Sequence, residues 1–167
     1  GDYEEAGQYY DKALDIKPDN YALKGKVAEQ KLCMGEYAKA RDLFMELLRV
    51  NHYDNNARAS MIRANLGLIQ ELTKKRNDNP EDKKVQMEIS WSLYQIYKFE
   101  DSLKVLDEFA PDESQICEYN NLKGRVYLCL RDFHNALTCF HNWKQAIEAI
   151  PSEDDSKDAE DKKKRYG

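Results

Sequence analysis

The strongest constraint on this chain is that it repeats itself at an offset of 34 residues. Shifted by that amount, Gly1 falls on Gly35, Tyr3 on Tyr37, Ala6 on Ala40, Tyr10 on Phe44, Leu14 on Leu48 and Asn20 on Asp54. Near the other end Ser90 falls on Gly124, Leu93 on Tyr127, Phe99 on Phe133, Ser102 on Ala136, Leu106 on Phe140 and Phe109 on Trp143. A unit this short cannot bury an apolar face alone, whereas stacked copies bury a continuous one. The alternation of small and aromatic residues specifies a helix–turn–helix unit. GRVYLCLRDFHNALTCFHNW, residues 124–143, shows it most completely. It reads as the end of one helix, a turn at Arg131 and Asp132, and the start of a second helix. Gly124 lets the helices approach, Ala136 sits at the crossing, and Tyr127, Phe140 and Trp143 cover the neighbouring turns.

The pattern sets out the chain as an array over residues 1–151. Residues 1–20 read as the second helix of a partial unit, closed by Pro18. Residues 21–54 are a full unit with helices expected at 21–34 and 37–50, the first stopped by Gly35. Residues 55–82 are irregular: 28 residues stand where 34 belong, as though six were removed at the turn. Gly67 is the one turn signal left there, and a short turn or sharp kink is expected at it, with one continuous helix over 57–75 as the other reading. Residues 74–84, KKRNDNPEDKK, read as a solvated loop. Units at 83–116 and 117–150 follow, with helices expected at 85–97, 99–109, 115–130 and 133–150. Pro151 closes the array. Residues 152–167 carry acidic groups first and KKKR after them, with no apolar stripe, and are expected to be a charged linker or the start of a truncated helix.

These motifs resemble the tetratricopeptide repeat family. GDYEEAGQYYDKALDIKPDN is close to that family's second helix with its exit proline, and GEYAKARDLFMELLRVNHYD repeats it with His52 in the proline's place. The resemblance covers residues 1–150. The bulky aromatic that the family places near the start of each first helix is replaced here by Lys24, Arg58, Gln86 and Asn120. The fold implied is all-α, a right-handed superhelical solenoid of antiparallel helix pairs.

Composition narrows the function classes. Apolar residues make up 41% of the chain, enough for a core, and the net charge of -5 offers no general attraction to nucleic acid. No apolar run approaches the length a membrane span requires, about 18 residues or more. No signal peptide is visible at Gly1. The four cysteines, Cys33, Cys117, Cys129 and Cys139, follow no metal-binding spacing and read as reduced packing residues, which favours a reducing, cytoplasmic compartment. His52, His134 and His141 have no partner at catalytic or metal spacing. No phosphate loop, nucleophile elbow or zinc-protease motif occurs. No catalysis and no cofactor are expected.

Repeat arrays bind through the surface formed by their stacked first helices. In the family's phase, the ninth place of successive units reads Glu29, Arg63, Trp91 and Arg125. Arginine pairs with carboxylates in a planar, bidentate way, and tryptophan is a frequent energetic anchor. The expected ligand is an acidic or aromatic-containing peptide, or a partner helix. Arg63, Trp91, Arg125, Lys84, Met87, Tyr94 and Asn121 are the candidate contacts, with Asn56, Ser60, Glu88 and Leu128 around them. The competing reading pairs Arg63 and Arg125 with Glu88 and Glu118 and packs Trp91 on a neighbouring helix. Family members that clamp chaperone tails use a lysine, asparagine and arginine set. Here Gly25, Glu29, Ser60, Lys84 and Glu88 stand at those places, so that ligand is disfavoured. The expected role is a scaffold or adaptor for protein–protein interaction. The alternatives are homodimerisation through truncated ends and the regulatory or substrate-presenting part of a larger enzyme.

Overall fold

The computed structural model describes residues 2–151; the charged segment 152–167 lies outside the described residues. The chain divides into two compact units, Gly1–Val105 and Leu106–Gly167. Among the described residues the fold is all-α. The first unit holds α1 (Asp2–Ile16), α2 (Tyr21–Cys33), α3 (Tyr37–Val50), α4 (Asn55–Asp78), α5 (Lys83–Gln95) and most of α6 (Phe99–Asp107). The second unit takes the last two residues of α6, a 3-10 turn (Glu113–Gln115), α7 (Ile116–Cys129) and α8 (Phe133–Glu148).

The expected small residues sit at the helix crossings. Ala28 with Ala40, Ser90 with Ser102, and Gly124 with Ala136 occupy equivalent places in three hairpins, and the alanines and serines are at most 1% exposed. Gly124 is buried, and a Cβ added there would stand 2.8 Å from the Phe140 ring. The Ser102 hydroxyl donates to the Ser90 carbonyl at 2.8 Å, which ties α6 to α5. The turns also repeat. Gly35, Tyr97 and Arg131 each take positive φ, at 77°, 66° and 61°. In each turn the next residue's N–H reaches back five positions: Glu36 to Lys31, Lys98 to Leu93, and Asp132 to Tyr127. These are helix-ending motifs closed by a left-handed residue.

The third repeat departs from the turn expected at Gly67. Residues Asn55–Asp78 form one uninterrupted helix. Its first half contributes Ala57, Met61 and Ala64 to a core with Ala28, Ala40, Phe44 and Leu47. Its second half contributes Leu68 and Leu72 to a core with Ile89, Leu93 and Val105. A helical glycine costs about 1 kcal/mol, whereas burying each of the two leucines contributes about 1.5–3 kcal/mol. Continuity therefore wins. Gly67 serves contact instead: a Cβ there would stand 2.4 Å from the Tyr37 ring. The loop is also shorter than expected, because α4 runs to Asp78 and α5 starts at Lys83. Lys75 and Arg76 favour the end of α4 through the helix dipole. Asp82 caps α5 by accepting from the N–H groups of Lys84 and Val85.

The polar residues that replace the family's aromatic each make a specific contact. Lys24 pairs with Glu46 at 2.7 Å. Arg58 donates to the Tyr97 hydroxyl at 2.8 Å. Gln86 donates to the Pro80 carbonyl at 2.7 Å, and Asn120 to the Ile116 carbonyl at 2.9 Å.

Candidate functional site

Within the first unit, α4 packs against both α2 and α5. The N-terminal end of this face holds a cleft of about 490 Å³. Phe44, Leu47 and Ala57, all buried, line it together with Tyr10 from α1 and Tyr21 from α2. Lys26, Glu29 and Asn56 are exposed lining residues and supply its polar groups. Gly25 keeps the space open, since the nearest atom to a Cβ added there would be Leu47 Cδ1 at 3.9 Å.

One wall of the cleft is set by a helix cap. Asp54 precedes α4 and accepts from the Ala57 N–H at 2.9 Å. Its other carboxylate oxygen accepts from the Tyr21 hydroxyl at 2.7 Å, which fixes the ring of α2 against the start of α4. The Ala57 bond first, and the Tyr21 bond second, hold the Asp54 pKa below the ordinary carboxylate value. The same hydrogen bond to Asp54 raises the pKa of Tyr21.

Beyond the cleft lies the row expected from the repeat phase. Glu29 accepts from the Ser60 hydroxyl and pairs with Arg63 at 3.2 Å, and Arg63 also donates to Ser60 at 3.0 Å. Arg63 is therefore partnered by Glu29 rather than by Glu88, which pairs with Arg41 at 2.6 Å. Trp91 is half-buried and meets Tyr94 edge-on, with ring centroids 5.9 Å apart. Lys84 is exposed. Met87 is only 3% exposed and belongs to the interior, so it offers no surface to a ligand. In the second unit Arg125 is exposed, and its Nε donates to Asn121 Oδ1 at 2.8 Å.

The structure thus brings Glu29, Ser60 and Arg63 together, Trp91 with Tyr94, and Arg125 with Asn121. Sequence reasoning missed the cleft residues Tyr10, Tyr21, Gly25 and Lys26. Gly25 and Lys26 hold the fifth and sixth places of their unit, which the repeat phase assigns to this face. Gly25 was weighed only as a mismatch to the chaperone-tail clamp, because a glycine has no side chain to suggest a pocket of its own.

Nothing else among the described residues competes as chemistry. No group of three His, Cys, Asp or Glu side chains could hold a metal ion, and no described helix is long and apolar enough to cross a membrane. Cys33, Cys117, Cys129 and Cys139 are unpaired thiols. Lys123 is engaged structurally. It donates to Asp107 at 2.7 Å and to the Tyr119 hydroxyl at 3.2 Å. Burial works against its charge, but these bonds outweigh it and raise its pKa.

Helical hairpins at a 34-residue spacing define a helical-repeat protein. The sequence profile of the tetratricopeptide repeat matches residues 1–66. No curated protein matches the sequence. Among solved structures it is similar to a crystal structure of MamA, at 14% identity and TM-score 0.48 over 89% of this chain and 90% of that one. It is also similar to MamA, 41 to the end, from Desulfovibrio magneticus RS-1, at 14% identity and TM-score 0.47 over 91% and 89%. A third is YrrB, described as a TPR protein with an unusual peptide-binding site, at 16% identity and TM-score 0.44 over 96% and 84%.

Proposed function

We propose that this chain is a non-catalytic protein-interaction scaffold whose first unit takes an extended peptide along α2, α4 and α5. The observation that carries this reading is the cleft beside Gly25. Its apolar floor accepts one side chain of the ligand, and Lys26, Glu29 and Asn56 meet the ligand's polar groups. Repeat arrays use this face for binding because it is continuous from one hairpin to the next. Arg63, Lys84, Trp91 and Tyr94 extend the surface along the first unit. Asn121 and Arg125 form a smaller polar surface of the same kind in the second. Exposed thiols at Cys33 and Cys129 suit a reducing, cytoplasmic setting.

Selection from a displayed peptide library against the full chain tests the reading. Selected peptides are then titrated against Gly25→Leu, which fills the cleft, and Trp91→Ala. Filling an anchor pocket costs about tenfold or more in affinity. Circular dichroism confirms that helicity is kept. Peptides that bind both variants as tightly as the wild type place the binding surface elsewhere.

A further inference from the structure

Two carboxylates line the cleft beside Gly25, and they are held in different ways. Glu29 is neutralised: Arg63 pairs with one oxygen at 3.2 Å, and the Ser60 hydroxyl donates to the other. Asp54 is held by neutral donors, the Tyr21 hydroxyl at 2.7 Å and the Ala57 N–H at 2.9 Å. Each of its oxygens takes one of these bonds. A carboxylate offers about four acceptor sites, so both oxygens can accept again. The group stays ionised, because it caps α4, where the positive end of the helix dipole and the cap bonds favour the anion. Lys26 also lines the cleft, but it is exposed, and its long stem keeps the ammonium in water. The cleft therefore holds a negative charge that its neighbours stabilise without neutralising.

What surrounds Asp54 selects the cation that complements it. Phe44, Leu47 and Ala57 are buried and floor the cleft, which suits an alkyl stem. Tyr10 and Tyr21 add rings to the lining, and the Tyr21 ring stands beside the carboxylate it bonds. Aromatic faces attract a guanidinium, and its planar fork donates to a carboxylate. At about 490 Å³ the cleft falls within the range of ligand pockets, about 300–1,000 Å³. An apolar side chain would fill the floor and leave Asp54 unmatched. An acidic one would meet it with like charge. A lysine, whose compact ammonium is strongly hydrated, would lose more on leaving water. We propose, on the peptide-binding role given above for the same cleft, that it is the anchor site for an arginine of the bound peptide. The stem lies on Phe44 and Leu47, and the guanidinium donates to Asp54 beside Tyr21.

A displayed library of random peptides, selected in parallel against the full wild-type chain, Asp54→Asn and Gly25→Leu, tests the anchor. Asparagine keeps the cap acceptor, as Asn20 does for α2, and removes the charge. Arginine is expected at one position of the wild-type peptides, enriched about tenfold or more over the unselected library, and at no such position with either variant. The strongest wild-type peptide is then made with arginine, citrulline or norleucine at that position and titrated against the wild-type chain by fluorescence anisotropy. Citrulline keeps the shape and loses the charge, and norleucine keeps only the stem. Both are expected to bind about tenfold more weakly. This titration decides the matter where circular dichroism shows that Asp54→Asn has lost its helices. Three results overturn the anchor and leave the scaffold reading standing: selected peptides without that arginine, arginine enrichment that a folded Asp54→Asn retains, and citrulline binding as tightly as arginine. Enrichment of lysine equal to that of arginine also overturns it, since the chain's net charge of -5 would attract both alike. Selection of no peptide overturns both.

Discussion

Three glycines show how strongly the same substitution depends on what faces it. Gly67 and Gly124 lie under the rings of Tyr37 and Phe140, with an added Cβ at 2.4 and 2.8 Å. Alanine gains about 1 kcal/mol of helix propensity, but overpacking against a ring costs about 1–3 kcal/mol. Gly67→Ala and Gly124→Ala are therefore expected to lower stability by about 1–2 kcal/mol, set by the overpacking term. Gly25 meets only an ordinary contact. Gly25→Ala is expected to raise stability by about 0.5–1 kcal/mol, the propensity gain without the clash. Urea melts of the three variants check the opposite signs. Backbone conformation decides at Arg131, which is exposed with φ at 61°. The left-handed conformation costs a side-chain-bearing residue about 1–2 kcal/mol, and the glycine's looser unfolded state takes back about 0.4–1 kcal/mol. Arg131→Gly should raise the urea midpoint, and an unchanged or lower midpoint contradicts the argument.

At the scale of elements, the helices are fixed by caps and crossings, and the crossings were the part legible in the sequence. Asn20, Asp54, Asp82 and Asp132 each accept from a backbone N–H at the start of the helix that follows. Gly35 and the Arg131 turn were read from the 34-residue offset. At α4 the six missing residues were legible and one continuous helix over 57–75 was the second reading, but the turn was preferred, because a deleted turn leaves no residue behind to decide between the two. The one glycine remaining nearby was read as a break when it is a contact. The cleft escaped for a related reason: a gap between helices is made by what a position lacks. The Asp54 cap also carries a pH signature. Its depressed pKa means that its stabilisation is present above the ordinary carboxylate range and is lost as pH falls through the folded-state value. Asp54→Asn keeps the cap acceptor, as Asn20 does for α2, but removes the charge. The stability gap between wild type and Asp54→Asn should be widest near neutral pH and close below about pH 4. A gap that persists in acid contradicts this. Tyr21 works in the opposite sense. Its raised pKa makes its contribution present below the ordinary tyrosine value and lost as pH rises through the folded-state one.

At the scale of the whole molecule, repeat proteins distribute stability over nearest-neighbour contacts rather than one central core. Here that distribution has a local exception, since α4 belongs to both cores of the first unit. A hairpin at that place would let each core open with its own repeat, whereas a single helix joins them. The chain's two tryptophans fall one in each unit, Trp91 in the first and Trp143 in the second. Each therefore reports on its own surroundings during unfolding. Leu68→Ala removes a buried side chain from the second half of α4, at a cost of about 2–5 kcal/mol. Because α4 is shared, hydrogen exchange should show protection falling in α2 and α3 as well as in α5, and the Trp91 signal should lose its native value at lower urea. Loss of protection confined to α5 and the end of α4 would mean that the helix gives way near Gly67 on unfolding. The two halves would then behave as the separate helices of an ordinary repeat.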